Sequence, residues 1–343
     1  VKNTGPRATY RENLYEIKSV NGNEIGISEP LRLDFPVEDE SYVQKIRPVE
    51  NCGVEDLTLE QTEKIWTSGI LFSTGWNCWI KGVAVIKTGR YPFCFPICKY
   101  GEVRDSEFHD AWWKGGGGTA YVGFERSYDC LIDGIKTTEL RHAPNVNWAP
   151  SGCVFRNSTF EGSDGQWHSG WANEILMENL VIHSATNGGG YGFGLFTTAP
   201  EDNAHGPIGP RSVVYNCDIT SPKDGLILNG MNEGWVVAHN RFRVVKGRGI
   251  SARLYSFDHI VRGNVFLLEN PDLPAIRLAN STCYGWEIED NLFYGVKSGE
   301  AIGGPAKPLF EKNNQVFPFA EAARPTPKVP SIFEWQKVNV KER

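Results

Sequence analysis

Val261-Arg-Gly-Asn-Val-Phe266 and Ile288-Glu-Asp-Asn-Leu-Phe293 are two copies of one phrase. It runs apolar, two mostly polar residues, a small or amide residue, one more, then apolar. Val54-Glu-Asp-Leu-Thr-Leu59 and Phe155-Arg-Asn-Ser-Thr-Phe160 repeat it. Followed in both directions, the phrase starts at Val54, Ile80, Val103, Ile132, Phe155, Met177, Val214, Val237, Val261, Ile288 and Phe310. A unit of this length whose apolar positions recur within a few residues is one strand-bearing rung of a solenoid, not a helix pair. The reading is all-β: a right-handed parallel β-helix of about eleven rungs. Parallel crossovers take the right hand, and coiling removes most sheet edges.

The composition agrees. Thirty-seven Gly and twenty Pro among 343 residues suit a chain that turns every few positions. A net charge of -6 leaves no basic footprint for nucleic acid. No apolar run is long enough to span a membrane. The chain starts on Val1 with no signal-peptide pattern, which predicts a mature form or a piece of something longer. Residues 1–47 are expected to be strands leading into the solenoid, with a hairpin from Leu14-Tyr-Glu-Ile-Lys-Ser-Val to Glu24-Ile-Gly-Ile-Ser. The solenoid is assigned to 48–317, and 318–343 to a Pro-rich extension laid over the last rungs.

Cys52, Cys78, Cys130 and Cys153 each stand two residues before a phrase, on the side of its inward residue. They read as a buried stack, or as Cys52–Cys78 and Cys130–Cys153 bridges between neighbouring rungs. Asn240, Asn264, Asn291 and Asn313 read as an inward amide ladder, and Phe108, Phe160, Phe242, Phe266 and Phe293 as an aromatic stack.

Function is expected at the two over-long rungs, which begin at Val103 and Met177. The first holds Trp112-Trp-Lys-Gly-Gly-Gly-Gly-Thr-Ala-Tyr121; the second holds Gly188-Gly-Gly-Tyr-Gly-Phe-Gly-Leu-Phe196 and the His205 segment. Between them lies a run dense in polar and aromatic groups, which predicts a cleft across rungs three to six. Trp112, Trp113, Tyr121, Trp167, Trp171 and Tyr191, with His205, are its candidate sugar-binding residues, because such rings offer flat faces with polar edges. Six of the seven histidines avoid inward positions; only His259 takes one.

Arg126-Ser-Tyr-Asp-Cys-Leu-Ile132 followed by Thr138-Glu-Leu-Arg141-His142-Ala resembles the alginate-lyase and chondroitinase-B family of β-helical lyases. The repeat grammar of the whole chain resembles the wider pectin-lyase-like superfamily. The lyase resemblance covers about twenty residues, and implies a Lys base at the position of Arg126, an assisting Arg at Arg141, and calcium on the uronate carboxylate. Arg126 replaces the family's Lys and Ala143 its Gly, and the connection between the two segments is shorter. Arg gives up a proton far less readily than Lys, so His142 and His168 become candidates for the base and the acid.

Three readings follow: β-elimination at a uronate of an acidic polysaccharide, glycoside hydrolysis or transglycosylation, and a non-catalytic glycan-binding rod. Hydrolysis needs a carboxyl pair, for which Glu125, Glu139, Asp164 and Glu174 are available. The histidines show no tight metal-ligand spacing. A polysaccharide or oligosaccharide is the expected partner, with neither nucleic acid nor membrane, and the expected location is extracellular or periplasmic.

Overall fold

The computed structural model describes residues 11–168, 170–198, 205, 207–297, 299–320 and 328–339. The chain is a right-handed parallel β-helix. Two eleven-stranded parallel sheets carry the two halves of the phrase, and an eight-stranded sheet forms the third face. Shorter sheets of four and three strands close the remaining corner.

Register follows the phrase. Val54, Ile80, Val103, Ile132, Phe155, Met177, Val214, Val237, Val261 and Ile288 pair in one continuous row. From Ile80 to Ile288 this row is completely buried. The aromatic row is equally regular at its C-terminal end, where the Phe242 and Phe266 rings stack at 5.0 Å and Phe266 and Phe293 at 5.2 Å.

The last copy departs by one residue: Ile288 pairs with Glu311, and Phe310 with Glu287. The ladder therefore ends on Asn314, not Asn313. Asn291 donates both its backbone N–H and its Nδ2 to Asn314 Oδ1, at 3.0 Å each. Asn313 lies outside and donates to Asp290 Oδ1.

The physical reason for the phrase is the bend between the first two sheets. Its third residue sits in the left-handed region in rung after rung, as at Asp56, Asn157, Asn216, Asp290 and Asn313 (φ between 49° and 56°). Asn, Asp and Gly tolerate that conformation best. The bend turns the next residue's N–H inward, where the following rung must supply an acceptor. Ser106 Oγ accepts from Val83 N–H, Ser158 Oγ from Ile135 N–H, and Asn240 Oδ1 from Cys217 N–H.

Of the four aligned cysteines, Cys78, Cys130 and Cys153 are buried, whereas Cys52 is exposed on the first rung, which has no rung before it to cover it. All eight cysteines are free thiols. The N-terminal hairpin pairs Ile17–Asn21 with Glu24–Ile27 antiparallel. Beyond it, Glu29 and Arg32 dock on the short four-stranded side, where they join Asp129 and the fully buried Lys99 in one ion-pair network.

The C-terminal extension crosses the middle rungs rather than the last ones. It carries the helix Ile332–Asn339, and Glu178 accepts from the Ser331 hydroxyl and Ile332 N–H. Arg156, paired with Glu334, lies over the Phe333 ring.

His259, the one inward histidine, is completely buried. Its Nδ1 accepts from Trp235 N–H at 2.9 Å, while Nε2 faces Asn232 Oδ1 and Ser256 Oγ. Both nitrogens are satisfied by the neutral ring, and burial pushes its pKa from 6.5 down to about 3. The unfolded chain then binds the extra proton between those values, so stability is full above pH 6.5 and drains as pH falls toward 3. The shift corresponds to about 5 kcal/mol at its acid end. Urea midpoints measured from pH 7 to pH 4 should fall steeply, and less steeply in His259→Gln. Equal slopes would refute this assignment.

Candidate active site

The site is built on the eight-stranded face. Its first strands are Tyr121–Glu125, His142–Asn147, Asp164–Trp167 and Leu195–Thr197. Tyr121, His142 and Asp164 occupy one row of the register. Glu125 pairs with Asn147 in another, and His168 follows Asn147 in that row. The strand His142–Asn147 carries one more residue than its neighbours between these rows. Such a bulge re-aims side chains, and its backbone presses on Gly123, where any Cβ would lie 1.8 Å from Asn145 O.

The two insertions enter the face at the same corner, as segments 112–120 and 184–194. They touch: a Cβ on Gly189, whose φ is +88°, would lie 1.6 Å from Lys114 O. Arg141 ties them together. Its Nη1 donates to Gly116 O and, at 3.1 Å, to the Tyr121 hydroxyl, while Nε donates to Gly189 O at 3.4 Å.

Beneath this roof His142 Nδ1–H donates to Asp164 Oδ1 at 2.5 Å, with both side chains almost fully buried. The other Asp164 oxygen accepts from Tyr191 and Gly192 N–H, which pins the second insertion. The Tyr121 ring lies between the two histidines, 5.2 Å from His142 and 5.6 Å from His168. His168 Nδ1–H donates to Asn147 Oδ1 at 2.7 Å, and its Nε2 meets His205 Nε2 at 2.9 Å. Trp148 stacks on His205, while Tyr191 and Phe196 pack against His142.

Electrostatics keep both imidazoles neutral. Burial lowers the His142 pKa against the opposing pull of Asp164. Burial, then His205, His142 and Arg141, hold His168 well below its ordinary value. Burial raises the Tyr121 phenol against Arg141, so it keeps its proton.

Arg141, His142, His168, Tyr121, Tyr191, His205 and Asp164 thus come together. The other candidates do not join them. Arg126 forms a bidentate pair with Glu12, which also accepts from the Tyr128 hydroxyl. Trp167 points into the solenoid and packs on Trp235 at 4.7 Å, so no ligand reaches it. Trp112 donates to Gln61 O and Trp113 packs edge-on against Trp66, both over the early rungs. Trp171 lies against Arg11. Glu139 bonds Lys114 and Asn187 on the rim, and Glu174 pairs with Arg211.

Asp164 was legible as a carboxylate but not as the partner of His142. It stands nine residues after Phe155, whereas His142 stands ten after Ile132, because the bend from Thr138 to His142 is one residue longer than that from Glu161 to Asp164. Asn147 and Phe196 carry no signal of their own in the sequence.

The donor set for calcium does not fit. Both oxygens of Asp164 are engaged, and no group of three or more His, Cys, Asp or Glu side chains converges among the described residues.

No protein-family model and no curated protein sequence matches this chain. Solved structures do resemble it. The A-module of a mannuronan C-5 epimerase from Azotobacter vinelandii superposes with a TM-score of 0.61 at 15% identity, covering 80% of this chain and 76% of that one. A surface protein and adhesin of Streptococcus pneumoniae gives 0.51 at 10% identity, over 78% and 90%. The tailspike of E. coli bacteriophage HK620, in complex with a hexasaccharide, gives 0.50 at 11%, over 79% of this chain and 62% of the tailspike. What they share is the fold. At these identities the site must be argued from its own residues.

Proposed function

We propose that this protein is a carbohydrate-active enzyme that cleaves an acidic polysaccharide by β-elimination at a uronate. The observation that carries the reading is the buried His142–Asp164 pair, set against Tyr121 and beside Arg141. Asp164 fixes the tautomer by accepting from Nδ1, so the lone pair of the neutral ring lies on Nε2, which takes no hydrogen bond from the described residues. His168 is less suited to be the base, since its Nε2 already faces His205.

In the step itself, His142 Nε2 takes the proton from C5 of the uronate. The electrons of that C–H bond form a C4–C5 double bond, and the C4–O bond breaks. The leaving oxygen takes the Tyr121 phenol proton. Arg141 Nη2, which has no partner among the described residues, meets the substrate carboxylate and stabilises the charge that develops on it.

Hydrolysis needs two carboxyl groups across the bond, whereas Asp164, Glu139 and Glu174 are held by other partners and, among the described residues, Glu125 is the one candidate carboxylate left beside the cluster. The location that suits a polymeric substrate is outside the cytoplasm.

A screen of alginate, polygalacturonate, chondroitin sulfate and neutral dextran tests this. One uronate polymer should yield products with a new ultraviolet absorbance, and dextran none. Reducing ends without new absorbance would establish hydrolysis instead. Binding without cleavage of any polymer would leave a glycan-binding rod.

A further inference from the structure

The row of outward positions that passes the site continues along the same sheet. Gln166, Phe196, Ile227, Ser251 and Arg277 pair in succession. The neighbouring row runs from His168 through Thr198 and Asn229 to Arg253, as the Thr198 N–H to Trp167 O and Arg253 N–H to Leu228 O bonds show. Arg248 lies at the start of the Arg253 strand, its backbone N–H bound to Asp224 Oδ1.

These three arginines differ from those around them. Several arginines elsewhere on the solenoid are matched to carboxylates, as Arg104 is to Asp133, Arg211 to Glu174 and Arg262 to Glu289. Arg248, Arg253 and Arg277 form no ion pair among the described residues, and Arg248 Nε is buried without a hydrogen-bond partner. Burial lowers the Arg248 pKa; Asp224 opposes this, while Arg277 and Arg253 add to it. Three cations are held together on one face of a chain whose net charge is -6. Asp224 offsets part of their mutual repulsion, and an anion from outside would relieve the rest.

We infer that Arg248, Arg253 and Arg277 form an anion subsite that holds the acidic groups of a polysaccharide lying along this face, parallel to the solenoid axis. Arg253 is three rungs from His168, about 14 Å at the strand spacing, so only an oligosaccharide spans both. Thr198 and Asn229 lie between them in the row, and Lys223 stands over the Phe193 ring on the rung of the second insertion. The inference rests on the acidic substrate proposed above and specifies where its charge is read.

The test is affinity gel electrophoresis of the full chain in gels cast with alginate, polygalacturonate or chondroitin sulfate. Dextran gels are the neutral control, and gels without polysaccharide correct for the changed charge. At least one polyanion should retard the wild type while dextran does not. Arg253→Ala with Arg277→Ala should weaken that binding about tenfold or more, and the two Lys replacements should recover part of it. Both side chains are exposed, so the thermal midpoint should stay put. Equal retardation of wild type and double variant would overturn the subsite, as would a wild type retarded by no polyanion. If unsaturated product still forms while the double variant binds equally, the subsite alone fails. If the arginines govern binding and no product forms, elimination alone fails.

Discussion

Turnover of the acidic polysaccharide should fall by about 100- to 10,000-fold in His142→Gln, the range spanned by loss of a positioned general base. Glutamine keeps a polar group for Asp164, so the second insertion stays anchored through Tyr191 and Gly192. Tyr121→Phe should give a loss of similar size, since it removes one oxygen and leaves the packing against Tyr91 and both histidines. The pH profile distinguishes chemistry from structure. Neutral His142 is the active form, and burial holds its pKa below 6.5, so the rate rises with pH below that value and is level above it. Tyr121 must keep its proton, and burial raises it above 10, so the alkaline fall lies beyond that point. Rate measurements should therefore show a plateau from about pH 6.5 to 10. A profile centred near pH 5 would point to a carboxyl acid instead.

The largest effect on stability is expected within the amide ladder. Asn264 Oδ1 accepts from both Asn240 N–H and Asn240 Nδ2, and its own Nδ2 donates to Val237 O, all in the dry interior. Asn264→Ala leaves these groups unsatisfied and opens a cavity, at a cost of roughly 3–6 kcal/mol. Asn313→Gly, which keeps the left-handed backbone, removes only an exposed amide bond and should cost less than about 1 kcal/mol. Asn314→Ala should lie between the two, since the last rung covers it only partly. Urea denaturation of the three variants checks this order; a costly Asn313 with a harmless Asn314 would contradict the register of the last rung.

That one-residue slip shows what a repeat can and cannot disclose. Apolar periodicity locates rungs whose neighbours on both sides impose register, and ten starts align from Val54 to Ile288. At the terminal rung, Phe310 and Glu311 compete for one place, and Phe310 mimics the pattern although it is exposed. Exposure at solenoid ends weakens the link between apolarity and inward position. The left-handed third residue, Asn313 in the last copy, is the firmer marker of register.

The site was legible as a region because insertions must leave the stack, and their glycines and aromatics are conspicuous. Its wiring was not. One extra residue in the bend before His142 separates its spacing from that of Asp164, and an outward residue in sequence can be inward in space, as Trp167 is. Arg126 reads as catalytic only while Glu12, more than a hundred residues away, is out of sight.

The most direct test of the central claim is a count of chain ends after digestion of the uronate polymer. If His142 removes the C5 proton and the C4–O bond then breaks, each new reducing end is matched by one unsaturated non-reducing end, and His142→Gln makes neither. New reducing ends matched by saturated ends, and persisting in His142→Gln, would contradict it.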